Sequence, residues 1–467
     1  MRLAAAIAFV QLLNAMFMFG QTGDVDGYVR KVMAERHIPG LSLAVVKGGK
    51  VVKSGNYGLA NVELNVAVNE RTSFEIASMS KMFTDAGILL LVEEGKVGLD
   101  DSITKYIAGL PSTWNDITIR ELMIHTSGLR DDWDEGNDYF LSKTSNVDFL
   151  EALKASPLKF KPGTQHSYGC GPFVLGLVIE KVSGKTYAAF MRDRIFEPLN
   201  MSRTAVNDDR AVVADRASGY TADGAVLKNG VRISPAAEAR ADVGIHTTAL
   251  DLAKWDAAIT DAKLLKRASW ELMFTPGKLN DGTKIPAGFG WFAAPTRGDF
   301  WLHGGAFRTG YTSMIGRRAD GGLTVIVLTN ARPSGASEIA GRIAAMYDPN
   351  YLPVAEMQTE RDPKPARTER LMAFLISLAA GKRPSEEAAA DFPFALISPD
   401  VAAELEIGNM RSLDFVRCRD ISRLPTRYFP VQPKETCFYR LRSERDHSLA
   451  FVFNADGRIA YMEPYEN

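Results

Sequence analysis

Apolar and polar positions alternate in two stretches of the chain in a way that predicts β-hairpins. Leu41–Val46 and Val51–Tyr57 are short apolar runs joined by Lys47-Gly48-Gly49-Lys50. Paired glycines between strand-like runs are a hairpin signal, because glycine accepts the positive φ angles of a tight turn. Much later, Ser313–Arg318 and Leu323–Thr329 flank Asp320-Gly321-Gly322 and predict a second hairpin. Between the two the pattern turns helical. Met79–Glu94 is apolar nearly all round and stops at Gly95, which reads as a buried helix with a glycine C-cap. Phe173–Val182 and Tyr187–Phe196 read as further helices. Strands at both ends with helices between them predict a two-lobed α/β (α+β) domain, its antiparallel sheet built from the two chain ends and a helical lobe inserted.

That unit spans residues 24–347. Residues 348–367 carry Pro353, Pro363 and Pro365 among charged residues and read as a linker. Residues 368–467 read as a small α+β C-terminal domain: Thr368–Ala380 is helix-patterned, and Leu413–Arg417, Cys437–Arg442, Leu449–Phe453 and Ile459–Met462 are strand-like. Nothing in this tail carries readable chemistry. At the other end, residues 1–23 have the order of a secretory signal peptide: Met1-Arg2, then Leu3–Phe19 interrupted only by Gln11 and Asn14, then a polar run. Gly20 suits a cleavage site and Met18 does not, so an uncleaved membrane anchor stays open. The expectation is export, periplasmic or secreted, into an oxidising compartment.

Composition narrows the function classes. The chain has 467 residues, 46% hydrophobic and 24% charged, as a globular protein does. Lys plus Arg number 55 and Asp plus Glu 56, a net charge of -1, so no nucleic-acid partner is expected. Three cysteines without a C-x-x-C exclude cysteine-rich zinc modules, and six histidines stand without metal-ligand spacing. Ser183-Gly184-Lys185-Thr186 ends like a phosphate-binding loop, but Ile179 stands where its first glycine belongs. No metal or organic cofactor is expected. An oxidising compartment allows a Cys418–Cys437 bridge.

Ser78-Met79-Ser80-Lys81 is the segment with chemistry in it. A spacing of three on a helix puts Ser78 and Lys81 on one face. A serine hydroxyl is a weak nucleophile until a base takes its proton, and burial beside an apolar helix lowers a lysine pKa toward that task. The helix N-terminus offers partial positive charge to an oxyanion. The same four residues also describe a helix N-cap with an incidental lysine, and Ser156 with Lys159 repeats the spacing in a loop beside Pro157.

Context separates these readings. His125-Thr126-Ser127-Gly128-Leu129 follows, then Ser167-Tyr168-Gly169-Cys170 ahead of an apolar helix, then His303-Gly304-Gly305 ahead of the last hairpin. In this order the segments resemble the serine β-lactamase and penicillin-binding transpeptidase-like family, in its class C β-lactamase, D,D-peptidase and family VIII esterase branch. The resemblance covers about Ile38 to Ala331 and leaves the tail outside. It implies Ser78 as the nucleophile of an acyl-enzyme, Lys81 as the lysine that helps deprotonate it, and Tyr168 as general base and then proton donor. It implies an oxyanion hole from the backbone N–H groups of Ser78 and Ala306, and a substrate-binding strand at His303, Gly304 and Gly305.

Two departures bear on substrate. Cys170 stands where the family carries an asparagine, and a thiol is a weak donor. His303 stands where the family often carries a lysine, and a largely neutral imidazole holds a substrate carboxylate less strongly. The expected function is therefore an exported serine hydrolase acting on ester or amide bonds, β-lactam or D-amino-acid peptide-like, with small-molecule or cell-wall peptide-like substrates. β-Lactamase, D-alanyl-D-alanine carboxypeptidase and a non-catalytic penicillin-recognising sensor stay as alternatives. Membrane contact is expected only through an uncleaved N-terminal segment, and the oligomeric state is not readable. Asp131, Asp132 and Trp133 read as cleft mouth or exposed loop, Gly290-Trp291 as site wall or core, and Asn330 with Arg332 as strand cap or substrate contacts.

Overall fold

The computed structural model describes residues 24–130, 145–208, 210–223, 226–348, 351, 358–389, 392–394, 402–403, 405–423, 428–429, 431–444 and 446–465. The segment read as a signal peptide lies outside these residues, as do Asp131, Asp132 and Trp133.

Seven strands form the central sheet: β1 (Gly40–Lys47), β2 (Lys50–Asn61), β3 (Val66–Ala67), β4 (Phe292–Ala294), β5 (Phe300–Phe307), β6 (Tyr311–Arg318) and β7 (Thr324–Thr329). Their order is β3-β2-β1-β7-β6-β5-β4, and their pairings are antiparallel. β1 meets β7 at Leu43 opposite Val327, so the two ends of the unit join at mid-sheet. Both hairpins form. Gly48 and Gly49 take φ 53° and 74°, the left-handed pair that a two-residue turn requires.

The two-residue period of the strands sorts side chains into two cores. Leu41, Leu43, Val45, Val325 and Val327 pack with Val29 of the helix Val25–Glu35 and Ile339 and Ile343 of the helix Ala336–Tyr347. Ala44, Val46, Ile326 and Leu328 face the helical lobe. At its centre runs the helix Ser80–Glu93, buried from Ser80 to Leu91. Gly95 at φ 69° ends it, and the Lys96 N–H returns to the Leu91 carbonyl at 2.9 Å. The helix opens one residue later than expected. Ala77 holds φ 46°, so the chain makes a short 3₁₀ turn, Ala77–Met79, before α geometry begins. The helix expected over Tyr187–Phe196 is α only over Tyr187–Met191 and widens into a π turn over Arg192–Phe196.

The tail pairs the helix Pro365–Ala379 with a four-stranded antiparallel meander: β8 (Ser412–Asp420), β9 (Pro433–Arg442), β10 (His447–Asn454) and β11 (Ile459–Tyr465). Phe374 and Leu375 of the helix share a core with Phe451 and Phe453 of β10. The intervening Val452, with Ala460 and Tyr461 of β11, joins the main core instead. Polar ties reinforce the contact. Trp301 Nε1 donates to the Tyr428 hydroxyl at 3.0 Å, Arg419 to the Thr296 carbonyl at 3.2 Å, and the Thr296 hydroxyl to Glu463. Cys418 and Cys437, directly opposite on β8 and β9, form a disulfide. Among the described residues no helix is long and apolar enough to cross a membrane.

Candidate active site

Ser78 sits in the 3₁₀ turn between the short strand Phe74–Glu75 and the central helix, half-buried between buried Ala77 and Met79. The left-handed backbone at Ala77 costs a non-glycine residue about 1–3 kcal/mol. Neighbouring groups hold it. The Ile76 N–H donates to the Ile245 carbonyl at 2.9 Å, the Met79 N–H to the Ile76 carbonyl at 3.1 Å, and the Ser313 hydroxyl to the same Ile76 carbonyl at 2.9 Å. Ser80, buried two positions beyond Ser78, accepts from the Ile245 N–H at 3.1 Å. Ser78 caps nothing; its hydroxyl is left to face Lys81.

Lys81 is buried. Its Nζ lies 3.2 Å from Ser78 Oγ, 3.0 Å from the Asp242 carbonyl oxygen and 4.9 Å from the centre of the Tyr168 ring. The Asp242 carbonyl is itself fixed. The Asp242 carboxylate takes two 3.0 Å hydrogen bonds from Arg240, whose guanidinium lies 4.6 Å from the ring centres of both Phe149 and Phe173. One turn beyond Lys81, Asp85 is fully buried and neither carboxyl oxygen has a hydrogen-bond partner among the described residues. Burial pushes that carboxyl well up, against the pull of Lys81.

Tyr168 is 42% exposed, with its ring 4.6 Å from that of His125 and 5.8 Å from that of Phe292. The His125-Thr126-Ser127-Gly128-Leu129 segment carries it. The Ser167 N–H donates to the His125 carbonyl at 2.9 Å and the Gly169 N–H to His125 Nδ1 at 3.3 Å. Burial holds His125 well below the usual imidazole range, with the charges of His166 and Lys81 adding to it, and holds His166 down to about 4. Cys170 follows at the start of the helix Gly171–Ser183, buried, its thiol donating to the Arg130 carbonyl at 3.7 Å.

His303 is only 2% exposed. Its Nδ1 lies 2.7 Å from the Gly290 carbonyl, which can only accept, so Nδ1 carries the hydrogen and Nε2 presents a lone pair. Nε2 is buried without a partner among the described residues. Burial, with Lys81 nearby, lowers its pKa to about 3 despite the Gly290 bond. His303 is therefore a neutral acceptor, a sharper departure from a lysine than the sequence predicts.

β5 pairs with β6 along its whole length but with β4 only from Phe300 to Leu302. Beyond that its outer edge carries no partner strand among the described residues, and Gly304 and Ala306 are exposed. The two glycines differ. A Cβ at Gly305 would stand 2.0 Å from the Ile76 carbonyl oxygen, so only glycine lets β5 lie against the Ser78 turn. A Cβ at Gly304 would meet nothing nearer than 3.5 Å. Trp291 is buried against Phe274 in the core. Asn330 is a clamp: its side-chain amide donates to Leu59 and Ser218 carbonyls at 3.0 Å. Ser156 ends the helix Asn146–Ala155, and Lys159 lies in the following loop.

A family model described as Beta-lactamase matches residues 25–346. The chain belongs to the β-lactamase family. Penicillin-binding protein 4* of Bacillus subtilis (strain 168) is 30% identical over 326 residues, 64% of this chain and 70% of that relative. Protein flp of Staphylococcus aureus (strain NCTC 8325 / PS 47) is 31% identical over 207 residues, and the chain spans 41% of its length. Among solved structures, a penicillin-binding protein from Bacillus halodurans matches with a TM-score of 0.60 and 26% identity, over 68% of this chain and 98% of that one. An octameric penicillin-binding protein homologue from Pyrococcus abyssi matches with a TM-score of 0.60 over 93% of this chain and 96% of that one, at 23% identity, a likeness of fold that extends into the tail. The fold is that of penicillin-binding proteins and β-lactamases. Membership of the β-lactamase family supports a serine-hydrolase type of function on small-molecule or peptidoglycan-like substrates.

Several groups around Ser78 carry no signal in the sequence. The Asp242 carbonyl is a backbone atom, Arg240 acts through Asp242, and Ser313 and Phe292 belong to the sheet. The order of the four motif segments was the only guide to this neighbourhood, and it does not reach them.

Proposed function

We propose that the chain is an exported serine hydrolase that works through an acyl-enzyme on Ser78, with ester bonds or peptide-like bonds lacking an adjacent carboxylate as its preferred targets. The observation that carries this is Lys81 Nζ at 3.2 Å from Ser78 Oγ, held there by the Asp242 carbonyl. Ser78 Oγ attacks the substrate carbonyl while its proton passes toward Lys81 and Tyr168. The oxyanion is received by the N–H groups of Ser78 and Ala306, each worth about 3 kcal/mol to the transition state. The leaving group departs with a proton from Tyr168, and water then hydrolyses the ester on Ser78. Exposed Gly304 at the open edge of β5 leaves room for a substrate backbone along that strand. A neutral His303 with an acceptor nitrogen gives a carboxylate no counter-charge, which favours esters over β-lactams. Residues 1–23 supply the export signal in this reading.

The test is a panel of short aryl esters, cephalosporins and D-amino-acid peptides, scored by kcat/KM against Ser78→Ala, with fluorophosphonate labelling followed through deacylation. The expected result is labelling at Ser78, ester turnover above cephalosporin turnover, and a loss of about 10⁴-fold or more in Ser78→Ala. Full turnover by Ser78→Ala overturns the proposal. Acylation of Ser78 with no turnover on any substrate assigns a sensor instead.

A further inference from the structure

Beside the open edge of β5 lies a recess of about 280 Å³. Phe292, His303 and Gly304 of the candidate site line it, with Leu302 and Met314 from the sheet, and Tyr461 and Glu463 from the C-terminal strand β11. The recess adjoins the site: the Phe292 ring lies 5.8 Å from that of Tyr168 and 5.5 Å from that of His303.

Strand geometry says what enters it. Leu302 and Gly304 project from one face of β5, and Met314 stands directly opposite Gly304 on β6. A substrate laid along the edge of β5 alternates its own side groups in the same way. Those on the Gly304 face meet this recess. Gly304 keeps it empty, since a Cβ there would point toward Met314 Sδ, 3.5 Å away. Phe292, Leu302 and Met314 make its sheet-side wall apolar. On the far side stand Arg297 and Glu463; Glu463 accepts from the Thr296 hydroxyl and faces Arg297, and burial raises its carboxyl to about 7. β11 is held in place by Ala460 and Tyr461 in the main core and by the tie from Thr296 to Glu463.

We propose that the C-terminal sheet completes the substrate site: β11, through Tyr461 and Glu463, walls a recess that takes an uncharged apolar side group of the acyl donor, up to an aromatic ring in size. This rests on the acyl-enzyme reading of Ser78. It gives the tail a role in substrate choice.

The experiment measures kcat/KM for aryl esters of acetate, butyrate and phenylacetate in the full chain, in Gly304→Val and in Glu463→Ala. Thermal melts check that each variant folds. Wild type is expected to prefer the phenylacetyl over the acetyl ester. Gly304→Val fills the recess and is expected to lower that ratio at least tenfold. Glu463→Ala enlarges it at the tail wall and is expected to move the preference toward still larger acyl groups by threefold or more. Leu302→Ala, which enlarges it from the sheet, is expected to do the same whether or not Glu463→Ala folds. A ratio within twofold of wild type in Gly304→Val overturns the recess, and an unchanged ratio in folded Glu463→Ala overturns the role of the tail. Absence of Ser78-dependent turnover on every ester would strike the acyl-enzyme reading instead, and fluorophosphonate labelling separates the two failures.

Discussion

The Ser313 hydroxyl donates to the Ile76 carbonyl at 2.9 Å, and so ties β6 to the turn that presents Ser78. The neighbouring strand β5 touches the same carbonyl through Gly305. One backbone oxygen thus sets how far the substrate strand stands from the nucleophile. Ser313→Ala leaves that oxygen its bond from Met79, so the expected loss is about 1 kcal/mol of stability with roughly tenfold in ester kcat/KM. Gly305→Ala brings a Cβ against it and is expected to abolish fluorophosphonate labelling. Equal activity in Gly305→Ala and wild type would show that the two elements are not so coupled.

Arg240 and Asp242 are both buried, and their pairing shapes the segment whose carbonyl holds Lys81. Removing one partner of a buried pair strands the other charge, at about 3–5 kcal/mol. Arg240→Met keeps the packing between Phe149 and Phe173 and loses the charge. It is expected to destabilise by that amount in urea titrations. Arg240→Met combined with Asp242→Leu is expected to recover much of the stability. It should not recover the rate, because the Asp242 carbonyl that holds Lys81 then loses the side-chain anchor from Arg240. A double variant that regains both would make the pair structural only.

The sheet and the four motif segments were legible because both rest on local pattern: glycine pairs at hairpins, and Ser78, Lys81 and Tyr168 within short recognisable strings. The start of the helix at Ser80 was misplaced because Ala77 takes a left-handed angle that alanine does not advertise. The state of His303 was only half legible. Its type implies a weak cation, while the Gly290 carbonyl and the burial that make it an acceptor come from the folded chain. The contact of β11 with the site is invisible locally, since Tyr461 and Glu463 lie far along the chain from Phe292 and Gly304.

Buried histidines give the protein an acid limit. His303 titrates near 3 when folded and near 6.5 when unfolded. The unfolded chain then binds more protons, so the contribution is complete above about pH 6.5 and is lost as pH falls toward 3. Between pH 7 and pH 5 this amounts to about 2 kcal/mol for one residue. His166 and His246, both lowered to about 4 by burial, act with the same sign. Urea midpoints measured at pH 7 and pH 5 are expected to fall more in wild type than in His303→Asn, whose amide nitrogen stands where Nδ1 meets the Gly290 carbonyl. Parallel slopes would place the acid sensitivity elsewhere.

Glu463 runs in the opposite direction. Burial raises its carboxyl from 4.5 to about 7, so the folded state keeps a proton that the unfolded chain releases. Its contribution is present below about pH 4.5 and is lost as pH rises through 7. Glu463→Gln is expected to melt higher than wild type at pH 8 and to match it near pH 4.5. A variant that melts lower at both would mean that the ionised carboxylate holds β11 to Thr296 and Arg297.

The Cys418–Cys437 disulfide links neighbouring strands across a sequence separation of 19. Closing a loop of that size lowers the entropy of the unfolded chain by about 3 kcal/mol at room temperature. Its effect falls on the tail sheet, which reaches the main core through Val452, Ala460 and Tyr461. Cys418→Ser with Cys437→Ser is therefore expected to lower the melting temperature of the tail first and to leave the Ser78 turn, clamped by Ile245 and Ser313, able to react with fluorophosphonate. Intact mass with and without reductant checks that the bond is present in the isolated protein. If the double variant loses fluorophosphonate labelling in step with the melting of the tail, the tail sheet is part of the framework that holds Ser78 as well as a wall beside it.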